Sequence, residues 1–177
     1  MSPRDRYAPG PARGARVVHK EGERWTLVLV RDLRHAPELV WDALTDPAQL
    51  AEWAPFNADR NLATAGPVKL STVGTPQVDE TSVQRAEAPR LLEVVWGGSV
   101  LRWELEPFAS GTRLTLWHAI DRRFVSWGAA GWHVCLDVLA QLLAGEPIGR
   151  IVGADALQFP GWQQLTAEYA QQFEKES

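Results

Sequence analysis

His118, His133, Cys135 and Asp137 are the side chains whose types and spacing could do chemistry. His133 and Asp137 are four apart, so on a helix they share a face. With His118 from a neighbouring strand they make a His/His/Asp set, the donor types that zinc takes. The spacing is generic, however, and a carboxylate that only orients an imidazole explains the same residues, so no metal is expected. His133 and Cys135 are two apart and point to different faces. Cys135, the one cysteine, falls on an apolar stripe and reads as a small buried hydrophobe rather than a nucleophile. There is no Gly-x-Ser-x-Gly elbow, no phosphate loop and no Walker-type lysine. No catalytic residue is assigned and no cofactor is expected.

His118 has two readings. Leu114, Leu116 and His118 alternate with Arg113, Thr115 and Trp117, so His118 lies on the apolar face of a strand. It is either a satisfied histidine near a strand end or the one polar contact in an apolar cavity, where few polar groups fix a ligand's orientation. As a general base it would need a substrate proton within hydrogen-bond reach.

The element that must position these groups is a helix over residues 129–145. Trp132, Cys135, Leu136, Leu139, Leu142 and Leu143 recur at helical spacing. Ser126 suits an N-cap, and Gly145 with Pro147 is a stop signal. Such a helix is about 25 Å long, enough to cross about five strands.

The chain before it reads mostly as strands. Residues 16–19 and 24–33 flank the turn Glu21-Gly22, and Trp25, Leu27, Leu29 and Leu33 share a face. Pro37 opens a short helix, and Asp46-Pro47 caps and starts another, with Leu50 and Trp53 inward. Short β-like runs are expected at 61–65 and 68–73, with an exposed polar strand at 77–87. A meander then puts Leu92, Val94, Trp96, Leu101, Trp103, Leu105, Leu114, Leu116 and His118 on its inner face, with Gly97-Gly98 as a hairpin turn. Residues 145–160 read as a loop. Trp162, Leu165, Tyr169 and Phe173 form the stripe of a final helix, expected to pack beside the long one.

Composition sets outer bounds. The chain has 177 residues, 45% of them hydrophobic, with 18 basic against 22 acidic side chains. That suits one domain over residues 16–177, with residues 1–15, rich in Pro, Gly and Arg, as a disordered tail. No basic stripe favours nucleic acid. No apolar run has membrane-spanning length and no signal peptide is visible, so a cytoplasmic protein is expected. Nine tryptophans are many for one domain and suit a site for a flat or greasy ligand.

Several strings resemble the SRPBCC or START-like superfamily, in the branch of the activator of the heat-shock-protein-90 ATPase (its C-terminal-domain type, with bacterial stand-alone members). They are Val40-Trp41-Asp42-Ala43-Leu44-Thr45-Asp46-Pro47 with Leu50 and Trp53; Pro89-Arg90-Leu91-Leu92 leading to Trp96; Gly111-Thr112-Arg113-Leu114-Thr115-Leu116 leading to His118; and Gly131-Trp132-His133 with Leu136-Asp137. The resemblance covers roughly residues 16–145. It implies an α+β helix-grip fold, a curved antiparallel sheet around a long helix near the C-terminus, with two short helices after the first main strand. It also implies a cavity between sheet and helix.

The expected function is binding of a small apolar or aromatic molecule. The expected ligand-binding residues are Trp53, Phe56, Trp96, Trp103, His118, Trp132, His133 and Leu136, with Trp25 and Trp41 as core. The alternatives are an enzyme of cyclase or dehydratase type using His118 as acid/base, and a module for a protein partner related to the chaperone activator.

Overall fold

The computed structural model describes residues 2–175, so Met1 of the expected tail and Glu176 and Ser177 of the expected domain lie outside it. The strands are β1 (Ala15–Glu21), β2 (Arg24–Leu33), β3 (Phe56–Ala58), β4 (Gly66–Thr72), β5 (Val78–Glu87), β6 (Leu91–Trp96), β7 (Ser99–Phe108) and β8 (Gly111–Asp121). They form one curled antiparallel sheet in the order β1-β2-β8-β7-β6-β5-β4-β3. Two short helices, α2 (Pro37–Thr45) and α3 (Pro47–Trp53), follow β2, and the long helix α4 (Val125–Leu143) crosses the concave face. This is the helix-grip architecture that the sequence predicts.

Alternation places the core. Leu27 and Leu29 of β2 pair with His118 and Leu116 of β8, which pair in turn with Leu101 and Trp103 of β7. These side chains face α4, and all are buried. At Gly97 and Gly98 φ is 60° and 78°, the left-handed pair that a two-residue hairpin turn requires. Asp46 accepts from the Ala48 N–H and caps α3, with Pro47 in its first turn. The outer face carries ion pairs such as Arg102–Glu93 and Arg113–Asp32.

Helix α4 begins at Val125, before the predicted start at 129. A 3-10 turn at Arg122–Phe124, capped by Asp121, runs straight into it, so Ser126 lies inside the helix and is not its cap. Residues 61–65 are not a strand. The Arg60 guanidinium donates to the carbonyls of Asn61, Thr64, Gly66 and Pro67 and ties them into an irregular turn. The stretch 145–160, expected as a loop, also holds a short helix α5 (Ala154–Leu157), and the final helix α6 (Trp162–Lys175) packs beside α4 and buries Leu165, Tyr169 and Phe173.

The expectation of a disordered N-terminal tail is corrected. A short helix α1 (Pro3–Arg6) is followed by a strap laid over α4 and α6. The Tyr7 hydroxyl donates to the Asp137 carboxylate at 2.5 Å, and the Ala12 N–H donates to Glu168 at 2.9 Å. The Pro9 carbonyl accepts from His133 Nε2 at 2.7 Å. Arg4 donates to the carbonyls of Ile148, Gly149 and Arg150 at 3.1, 2.8 and 3.0 Å. These anchors are polar and their partners lie far along the chain, so hydrophobic periodicity cannot register them. Among the described residues, no helix is long and apolar enough to cross a membrane.

Candidate functional site

A cavity of about 670 Å³ opens between the sheet and the N-terminal half of α4. Strand β8 supplies His118 and Ile120, and the β6–β7 hairpin supplies Trp96 and Ser99. Helix α4 supplies Gly128, Gly131, Trp132 and Cys135. Ile151 and Val152 from the loop after α4 and Leu157 of α5 close one side, with Trp162 of α6 behind them. Phe124 and Trp127 stand at the mouth, half exposed, with ring centroids 6.3 Å apart.

The space exists because of the helix's small residues. Gly128, Gly131 and Cys135 recur at i, i+3 and i+7 and so line one face. A Cβ at Gly131 would meet only the Trp162 ring, at 3.9 Å. A Cβ at Gly128 would lie 2.5 Å from the Cδ1 tip of Ile120, so there the helix packs closely on a cavity-lining side chain of β8. The other half of the helix carries Leu136 and Leu139 and closes the grip as packed core.

The aromatic side chains expected at the site do come together, as one ladder. Trp53 meets Trp103 at 5.8 Å, Trp103 meets Trp132 at 5.5 Å, Trp132 meets Trp96 at 5.8 Å and Trp96 meets Phe56 at 5.3 Å. Only Trp96, Trp132 and His118 of the expected set line the cavity. Trp53, Phe56, Trp103 and Leu136 stand outside its wall, fully packed. Trp53 is further fixed by its indole N–H, which donates to the Ala43 carbonyl at 2.9 Å. The alternation in each strand told which side chains face inward; it could not tell at which level the sheet parts from the helix.

His133 lies elsewhere. It faces away from the cavity, wholly buried between the strap and α6. Nε2 donates to the Pro9 carbonyl at 2.7 Å, so Nδ1 accepts from the Tyr169 hydroxyl, also at 2.7 Å. Asp137 is 3.5 Å from Nε2 and is chiefly held by Tyr7 and Arg13. Burial holds the His133 pKa below the ordinary value. His118 and His133 therefore sit on opposite sides of α4, and among the described residues no His, Cys, Asp or Glu cluster could hold a metal ion.

The polar chemistry of the cavity centres on His118. The Trp132 indole N–H donates to His118 Nδ1 at 3.1 Å. Burial, with a smaller push from Arg24, lowers the His118 pKa from 6.5 to about 4, so the ring is neutral near pH 7. Burial pushes the Cys135 thiol up to about 12, which leaves it protonated and inert. At the rim Arg24 donates to Ser99 and Ala119, and Asp121, ionised, is paired with Arg123 at 2.9 Å. The Trp96 indole N–H is engaged by Thr72 at 3.0 Å.

Several wall residues escaped sequence reasoning. Phe124 and Trp127 precede the predicted helix start, and Ile151 and Val152 lie in a segment read only as loop. Trp162 stands at one end of the stripe by which α6 docks, and it lines the cavity as well. The one usable signal was a pair of β-branched residues, Ile151-Val152, in an otherwise Gly- and Pro-rich loop.

A family model described as activator of Hsp90 ATPase homolog 1-like protein matches residues 34–144. No curated protein matches the chain. Among solved structures, the conserved protein of unknown function EF2215 from Enterococcus faecalis is similar with a TM-score of 0.67 at 16% identity, over 89% of this chain and 88% of that one. CalU16 from Micromonospora echinospora, in solution, gives a TM-score of 0.65 at 22% identity, over 94% and 96%. A protein from Bordetella parapertussis, encoded by the gene BPP1335, gives 0.59 at 25% identity, over 96% and 94%. These structures share the fold.

Proposed function

The chain belongs to the activator of Hsp90 ATPase homolog 1-like family, and from that premise we propose that it binds a small apolar or aromatic molecule between its sheet and α4. The observation that carries this reading is the cavity itself. Its volume of about 670 Å³ falls inside the usual range for small-molecule sites. Its walls are aromatic and aliphatic, with few polar groups. A helix that only sealed a core would carry a larger side chain where α4 carries Gly131, whose Cβ position faces open space.

The mouth fits an entrance for a greasy ligand. Phe124, Trp127 and Leu157 are 50%, 53% and 52% exposed and stand together at the rim. Exposed apolar clusters of this kind mark binding surfaces. The acid/base alternative finds less support, because the basic nitrogen of His118 is engaged by Trp132. The lone, buried Cys135 fits a reducing compartment, and we assign the protein to the cytoplasm.

Native mass spectrometry of protein purified from its own host, with a thermal-shift screen of whatever is released, tests the reading. A co-purifying small molecule that raises the melting temperature is the expected result. A clean apo mass with a flat screen would overturn it and favour a protein partner for the same aromatic rim.

A further inference from the structure

His118 is more than a polar spot in an apolar wall: its hydrogen-bonding role is fixed. An indole N–H can only donate, so the bond from Trp132 requires a lone pair on Nδ1. A neutral imidazole with its lone pair on Nδ1 carries its proton on Nε2. Among the described residues Nε2 has no protein partner, and it is the ring nitrogen open to the cavity. Close by, the Trp96 N–H is engaged by Thr72, and Arg24 Nη2 by Ser99 and the Ala119 carbonyl.

Beside the indoles of Trp96 and Trp132 the cavity thus presents an uncommitted, uncharged N–H on His118. Trp96, Trp132 and His118 pack against one another, with ring centroids 5.8, 5.8 and 6.0 Å apart, and together form one aromatic wall of the cavity, the two indoles at 74° to each other. A flat ring system can lie on one and abut the other. An anion taken against His118 would lose its water and gain a neutral donor there, while the Arg24 cation in the same wall is already bonded to Ser99 and offset by the Asp121 carboxylate. A neutral acceptor loses less and satisfies the waiting N–H.

We propose that the ligand is a flat, uncharged aromatic molecule with a carbonyl-type acceptor, seated with that oxygen on His118 Nε2–H. The proposal rests on the binding reading above and narrows it to a ligand class. It also assigns Trp132 a positioning role: the indole holds the histidine in the donor tautomer.

The test uses three matched probes on the full chain: 2-acetylnaphthalene, 2-ethylnaphthalene and 2-naphthoate. Affinities come from tryptophan fluorescence, and the ring nitrogens of His118 are followed by ¹⁵N NMR in the wild-type protein. The ketone should bind about tenfold tighter than the hydrocarbon, the upper range for one neutral hydrogen bond, and tighter than the carboxylate. The Nε2 resonance should be of protonated type in the free protein and should move with the ketone alone. In His118→Phe the ketone's advantage should vanish. Should that variant fail to fold, the wild-type ¹⁵N signals decide. Equal binding of ketone and hydrocarbon with Nε2 unmoved would overturn the ligand class and leave the cavity reading standing. Tightest binding of the carboxylate would overturn the uncharged ligand and point to Arg24. No binding of any probe would overturn both readings.

Discussion

The Trp132 indole nitrogen lies 3.1 Å from His118 Nδ1, and this bond ties α4 to β8 at the edge of the cavity. It joins the residue that narrows the sheet–helix gap to the residue that gives the gap its polarity. A protonated Nδ1 could not accept that bond, so the contact and the neutral ring support each other.

Acid should therefore weaken the fold. The folded pKa of His118 is about 4 against 6.5 for the free side chain, so between these values the unfolded chain binds more protons. Stability falls as pH drops through that window, by about 3 kcal/mol from this group. Arg24 adds to the shift, and Asp121 shares the cavity wall. His133, also lowered, contributes with the same sign. Urea unfolding of wild type and His118→Gln between pH 4 and 7.5 should show a shallower decline in the variant. An identical decline would mean that His118 is not held neutral by the fold.

Gly131 should trade stability for room. It sits within α4 with open space beyond its Cα. Gly131→Ala should stabilise by about 0.5–1 kcal/mol through helix propensity. Gly131→Leu would project into the cavity and should abolish probe binding while the protein stays folded by circular dichroism. Undiminished binding in the leucine variant would exclude this cavity as the site.

Trp103 and Trp127 should behave as opposites. Trp103 is 2% exposed and packed between Trp53 and Trp132, so Trp103→Ala should cost about 3–5 kcal/mol. Trp127 is 53% exposed at the mouth, so Trp127→Ala should change stability by at most about 0.5 kcal/mol and yet weaken probe binding. Denaturation midpoints and fluorescence titrations of both variants separate the two roles.

This contrast shows what the sequence could carry. Strand alternation identified the inward faces of β6, β7 and β8 down to Trp103 and His118, because side chains alternate strictly along a strand. The stripe of α6 docks beside α4 as its spacing predicts. What alternation cannot encode is depth. Leu116 and His118 share a face of β8, yet one is wholly packed and the other reaches open space, a difference made by sheet curl and the glycines of α4. The strap was illegible for another reason. Tyr7 is separated from Asp137 by 130 positions, and its anchor is one hydrogen bond to a carboxylate rather than a periodic pattern.

That anchor is testable. Tyr7→Phe removes a bond to a charged acceptor in a half-buried setting and should cost about 1–2 kcal/mol. Arg4 links the same strap to the carbonyls of the 148–150 loop, next to cavity residues Ile151 and Val152. Arg4→Ala should therefore speed amide hydrogen exchange in that loop more than in β7 or β8. Uniform exchange across the protein would mean that the strap does not restrain the cavity wall.

The central claim, that the ligand enters between β8 and α4, is tested most directly by the nine indole N–H signals in a ¹H–¹⁵N spectrum. On adding 2-acetylnaphthalene, Trp96, Trp127, Trp132 and Trp162 should shift, because all four line the cavity. Trp41 and Trp53, in the core, and Trp117, on the outer face, should stay in place. Shifts confined to Trp25 or Trp117, or none at saturating probe, would contradict the claim.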